Sequence, residues 1–149
     1  MLDWLIIIVN HQMHSDNHIC DNPFRQSGHR MHAEQVLITH DMGVIAEAAN
    51  HVAVLNAGRL VELGPVAEVL LHPRHPYAQG LIAAIPKVGA GLDMLPQIPG
   101  TMPRIDALPS GCAFHPRCDR VMPICRTERP EPTRRGEGVV CACWLEEMA

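Results

Sequence analysis

Two groups of residues in this chain have the type and spacing to do chemistry. The first is a set of five cysteines in the last quarter, Cys112, Cys118, Cys125, Cys141 and Cys143. Thiolates are soft ligands, and four of them hold either a tetrahedral zinc ion or an iron–sulfur cluster. The close Cys-x₂-Cys knuckles of zinc ribbons are absent. Cys112, Cys118 and Cys125 are instead spread widely among prolines, a spacing that fits a larger cluster better than a single zinc ion, with Cys141 or Cys143 to complete the set. The second is His40, which ends the apolar run Val36-Leu37-Ile38-Thr39. A strand ending there places its imidazole at the carboxyl end of a sheet, where open α/β folds put their ligand sites.

The elements that must position these groups follow from the pattern around them. Residues 36–39 read as a strand, and Met42, Ile45, Ala48 and Ala49 fall at helical spacing behind Asp41, which is suited to cap that helix. Residues 51–55 and 59–63 flank Asn56-Ala57-Gly58 and read as a hairpin. Gly64-Pro65 opens a helix with Val66, Val69 and Leu70 on its apolar stripe, ending near His72-Pro73. A proline-rich joint, in which His72 and His75 are expected to dock a partner or brace the loop rather than bind metal, leads to a second helix over residues 77–85. Residues 5–9 read as a short strand, whereas the rest of the first 35 residues, with five of the ten histidines, show no sustained period. Eight of the thirteen prolines lie from Pro96 onward, so the tail reads as loops that need pinning by something other than packing. Its basic pair Arg134-Arg135 reads as a solvated loop.

Composition narrows the classes of function. Lys and Arg number 12 against 16 Asp and Glu, a formal charge of −4, which argues against a nucleic-acid partner. Aromatic residues make up 3% and hydrophobic residues 47%, so the expected core is aliphatic. The longest apolar run, residues 4–9, falls far short of the roughly 20 residues of a membrane span. The start of the chain lacks the basic region of a secretory signal, so the expected compartment is reducing and the cysteines are expected to bind metal rather than form disulfides.

The run from Val36 through Thr39-His40-Asp41-Met42-Gly43-Val44-Ile45-Ala46-Glu47, followed by His51-Val52-Ala53-Val54-Leu55-Asn56-Ala57-Gly58-Arg59-Leu60-Val61-Glu62-Leu63-Gly64, resembles the end of an ABC-transporter ATP-binding subunit. His72-Pro73-Arg74-His75-Pro76-Tyr77, Gly80-Leu81, Ala84-Ile85-Pro86, Ile98-Pro99-Gly100 and the spaced cysteines resemble the oligopeptide/dipeptide branch of that family, over about residues 36–147. The resemblance implies an α/β fold: the C-terminal fragment of a P-loop ABC ATPase domain (strand, helix, hairpin, helices) plus a loop-rich, cysteine-containing extension. It divides the chain into an unassigned segment 1–35, the end of the ATPase domain over 36–86, and the extension over 87–149. It makes His40 the switch histidine that reaches the γ-phosphate of ATP. It also makes Cys112, Cys118, Cys125 and Cys143 the ligands of a [4Fe-4S] cluster, with zinc as the alternative metal and Cys141 as the alternative fourth ligand.

ATP hydrolysis also requires a glycine-rich phosphate loop ending in Gly-Lys-[Ser/Thr] and a strand-end carboxylate for Mg²⁺. The sole lysine, Lys87, follows Pro86 and belongs to no such loop, and neither a Ser-Gly-Gly-Gln signature nor an acidic pair precedes His40. Two functions are therefore expected. One is a partial ATP-binding subunit of a peptide importer, using ATP and Mg²⁺ only when complete, with a second ATPase subunit, membrane permease subunits and a peptide-binding protein as partners on the inner face of the cell membrane. The other is a stand-alone, metal-stabilised interaction module without nucleotide chemistry.

Overall fold

The computed structural model describes residues 5–10, 35–39, 42–85, 96–136 and 138–147. Six strands form one sheet: β1 (Leu5–Asn10), β2 (Gln35–Thr39), β3 (His51–Asn56), β4 (Arg59–Pro65), β5 (Thr133–Arg135) and β6 (Val139–Cys141), in the spatial order β2-β1-β3-β4-β6-β5. Every pairing is antiparallel, so the described sheet is a mixed α/β arrangement and not the parallel type in which strand ends gather a ligand. The helices are α1 (Met42–Ala48), α2 (Val66–Leu71), α3 (Pro76–Ala83), α4 (Pro123–Thr127) and α5 (Trp144–Glu147).

The hairpin is tighter than its sequence suggests. Asn56 pairs with Arg59, so only Ala57 and Gly58 form the turn, at φ of 51° and 72°. Two positive values define the turn whose twist matches the flanking strands, and glycine supplies one of them without steric cost. A bulge at Val54/Leu55 then shifts the register of β3 against β4.

Val52, Ala53 and Val54 are all buried, because β3 lies in the sheet interior between β1 and β4 and is covered on both faces. One core joins Ile45 of α1, Val52 and Val54 of β3, Val61 of β4, Val66 and Val69 of α2, Tyr77 and Ala78 of α3, and Phe114 from the tail. Burying each large apolar side chain contributes about 1.5–3 kcal/mol, so packing of Phe114 on the core helps to hold the tail. Val139, Cys141 and Ala142 are buried too, and the strand pair β5–β6 extends the sheet beyond β4. The tail, expected to be loops pinned by something other than packing, also packs: the short apolar runs of residues 112–114 and 139–143 each lie against an existing surface. Arg134 and Arg135 fall within β5 rather than in a loop, and Arg135 stands 3.9 Å from Glu147. At the far edge, Val36, Leu37 and Ile38 of β2 are exposed.

Among the described residues, no helix is long and apolar enough to cross a membrane.

Candidate functional site

His40 lies outside the described residues, as does Asp41; they fall in sequence between β2 and α1. The cysteines of the tail are all described. Cys112 opens a turn in which His115 N–H donates to its carbonyl at 3.0 Å and His115 Nδ1 stands 2.9 Å from the same oxygen. A single 3₁₀ turn, His115–Arg117, then delivers Cys118. Cys125 sits in α4, a helix of five residues that starts on Pro123, where the missing N–H of proline costs nothing.

The two segments are tied directly: Cys112 N–H donates to the Cys125 carbonyl at 2.9 Å, and Ser110 Oγ donates to the Arg126 carbonyl at 2.7 Å. Gly111 makes this approach feasible. A Cβ on Gly111 would stand 2.4 Å from the Cys125 carbonyl oxygen, and its φ of +65° suits glycine. Cys143 arrives from the sheet, since Ala142 N–H donates to the Val61 carbonyl at 2.9 Å and Trp144 Nε1–H donates to the Glu128 carbonyl at 3.2 Å.

The structure thereby brings Cys112, Cys118, Cys125 and Cys143 to the walls of one small cavity, together with His75, His115 and Arg120 and with no carboxylate. Cys141 is not among those walls. It lies on β6 opposite Glu62 of β4, wholly buried in the sheet. Among the described residues no three histidine, cysteine or acidic side chains are grouped so as to hold a metal ion.

Burial pushes the thiols of Cys112 and Cys118 up, and charge on the neighbouring cysteines adds to the effect. Burial raises Cys143 to about 11, with Cys112 and Cys118 contributing in the same direction. Cys141 is raised further, by burial first and then by the charge of Glu62. With nothing bound, these cysteines are therefore protonated at neutral pH, and a cation among them would reverse that preference.

Beside this cavity stands a group of polar residues whose role their spacing did not reveal. Glu62, 1% exposed, accepts from Arg74 N–H at 3.0 and 3.1 Å and from His75 N–H at 2.9 Å, fastening the proline-rich joint to the sheet. His75, also 1% exposed, caps α3 by accepting from Tyr77 N–H at its Nδ1, 3.0 Å away. The expected bracing role is thus met by His75, while His72 is exposed. Arg117 lies over the rings of Phe114 and Tyr77, 5.2 and 5.8 Å from their centroids, and donates to Asn56 Oδ1 at 3.1 Å. In sequence, Glu62 follows the strand alternation unremarkably; only its acceptors' partners, twelve and thirteen residues away, show why a carboxylate is buried there.

Residues 61–125 match the family described as the oligopeptide/dipeptide transporter, C-terminal region. Residues 61–125 carry the sequence of that region. The chain is 42% identical over 112 residues to the oligopeptide transport ATP-binding protein AppD of Bacillus subtilis (strain 168), covering 75% of this chain and 34% of that protein. The dipeptide transport ATP-binding protein DppD of the same organism is 35% identical over 125 residues, covering 84% and 37%. The probable D,D-dipeptide transport ATP-binding protein DdpD of Escherichia coli (strain K12) is 42% identical over 114 residues, covering 76% and 34%. The chain spans about a third of the length of these curated relatives. This kinship favours the transporter reading over a stand-alone interaction module. The matched region takes in most of β4, α2, α3 and the first three cysteines of the cavity, while Cys143 lies beyond it.

Proposed function

We propose that the chain serves as the C-terminal part of an ATP-binding subunit of a peptide ABC importer. What supports this reading is the conjunction, in one chain, of the His40 run with the oligopeptide/dipeptide region over residues 61–125. In that role His40 contacts the γ-phosphate of ATP, and the assembled importer supplies a second ATPase subunit, membrane permeases and a peptide-binding protein on the cytoplasmic face of the membrane. Affinity for ATP comes mainly from the phosphate loop and Mg²⁺. The 149 residues carry no Gly-Lys-[Ser/Thr] loop, so they do not turn over ATP by themselves. Assaying the purified chain with ATP and Mg²⁺ tests this: the expected result is no saturable hydrolysis, and turnover abolished by His40→Ala would overturn it.

A second part of the proposal concerns the thiols. Cys112, Cys118, Cys125 and Cys143 hold one metal centre, a [4Fe-4S] cluster in preference to zinc, with a structural role. Four soft donors around one cavity, with no carboxylate among them, are the right chemistry for either. A cluster spreads its ligands more widely than a single ion does, in keeping with the wide sequence spacing of these cysteines. Bound, the centre would cross-link three stretches of tail and add its binding free energy to folding. Anaerobic purification followed by iron, sulfide and zinc analysis decides it; a metal-free preparation that remains fully folded would remove this part.

A further inference from the structure

Among the described residues, Cys112 and Cys125 are the one pair of cysteines whose backbones are joined by a hydrogen bond. The Cys112 N–H donates to the Cys125 carbonyl at 2.9 Å, and the N–Cα bond on one side and the roughly 2.4 Å from carbonyl oxygen to Cα on the other limit the Cα separation to about 6.8 Å. The bond angles shorten it further. Disulfides span Cα separations of about 4.4–6.8 Å, and both residues line the same cavity, so the pair meets the geometric requirement for a bridge. After burial, the largest upward push on the Cys112 thiol comes from Cys125, ahead of Cys118, in keeping with Cys125 as its nearer sulfur. Gly111 holds this approach in place, since its lack of a Cβ lets the two backbones touch.

The two thiols differ in access. Cys112 is half-buried and Cys125 is buried, which divides the roles of an exchange reaction between them. We propose that Cys112 and Cys125 are a redox couple, oxidised in the metal-free chain to an intramolecular bridge by a small-molecule disulfide of the glutathione class. The Cys112 thiolate attacks one sulfur of glutathione disulfide and releases one glutathione thiolate. The Cys125 thiolate then attacks the Cys112 sulfur of the mixed disulfide and releases the second. Two electrons pass from the cysteines to glutathione, whose two thiolates take up the two protons. Once bridged, neither sulfur is a thiolate donor, and Cys118 and Cys143 alone are too few for a four-coordinate centre. Oxidation and metal occupancy therefore exclude each other. This control over the site rests on the metal reading given above, whereas the bridge itself rests on the backbone geometry.

The test uses the full chain, purified anaerobically, treated with a chelator and incubated with glutathione disulfide. It is then quenched in acid, unfolded, alkylated and digested for mass spectrometry. The expected result is a predominant peptide pair linked through Cys112 and Cys125, with Cys118, Cys141 and Cys143 alkylated. Cys125→Ser is expected to lose the internal bridge and to retain glutathione on Cys112. The bridged chain is expected to take up no zinc until it is reduced. A predominant bridge through Cys118 or Cys143, a mixture of pairings, no internal bridge, or zinc uptake by the bridged chain equal to that of the reduced chain would overturn the proposal. A reduced chain that takes up neither iron nor zinc, yet still forms the bridge, removes the metal reading and the control built on it while leaving the redox couple in place.

Discussion

Glu62 carries an unusual load for a single side chain. Its carboxylate accepts from two backbone N–H groups that otherwise have no partner at the proline-rich joint, yet burial still pushes its pKa above the ordinary value, outweighing those bonds and the nearby Arg74 guanidinium. Glu62→Ala leaves both donors unsatisfied and is expected to cost about 2–4 kcal/mol in urea unfolding, whereas Glu62→Gln retains an acceptor oxygen and costs much less. The raised pKa also sets a sign. The folded state holds the proton more tightly than the unfolded state, so this group's contribution is present below the usual carboxylate pKa and is lost as pH rises through the folded value. His75 acts in the opposite sense. Burial, with a smaller contribution from Arg120, lowers its pKa from 6.5 to about 4, so its stabilisation is complete above 6.5 and is lost as pH falls toward 4. The shift corresponds to about 3 kcal/mol. Unfolding curves between pH 7 and 4 should be flatter for His75→Gln than for the parent; identical slopes would contradict the buried neutral imidazole.

At the scale of the element, two glycine-dependent turns set the geometry. Ala57 holds a positive φ of 51°, a conformation asparagine and glycine adopt more readily. Ala57→Gly is accordingly expected to stabilise the hairpin by about 0.5–1 kcal/mol in thermal or urea unfolding. Gly111 has no such latitude, because a Cβ would collide with the backbone of Cys125. Gly111→Ala should destabilise the tail by about 2–4 kcal/mol and separate Cys112 from Cys125, detectable as increased hydrogen exchange at the Cys112 amide. The hairpin was legible because its alternation and its glycine are local signals. The joining of the tail to β4 was not, since β6 has three residues and its pairing with Glu62 and Leu63 spans almost eighty positions of sequence. The four clustered thiols were legible as a set from their spacing and family resemblance, but the separation of Cys141 from the cavity comes from where β6 ends: Cys141 is its last residue, paired with Glu62, and the chain leaves the strand before Cys143. Asn56, Arg117 and Glu62 gave no advance signal, because their roles depend on partners brought together only by the sheet.

Across the whole molecule, the sheet runs from an exposed apolar edge at β2 to the tail strands at the other side. Val36 and Ile38 are 62% and 59% exposed, and an edge of this kind pairs readily with another chain. Replacing both with lysine is expected to reduce concentration-dependent association in sedimentation velocity, and unchanged association would mean that β2 is not the contact. At the opposite side, the cavity of Cys112, Cys118, Cys125 and Cys143 is where the fold and the proposed chemistry meet. Comparing metal content in anaerobically purified Cys143→Ser and Cys141→Ser tests the account most directly. The account predicts that Cys143→Ser loses the bound iron or zinc while Cys141→Ser keeps it in stoichiometric amount; metal retained in Cys143→Ser and lost from Cys141→Ser would contradict it.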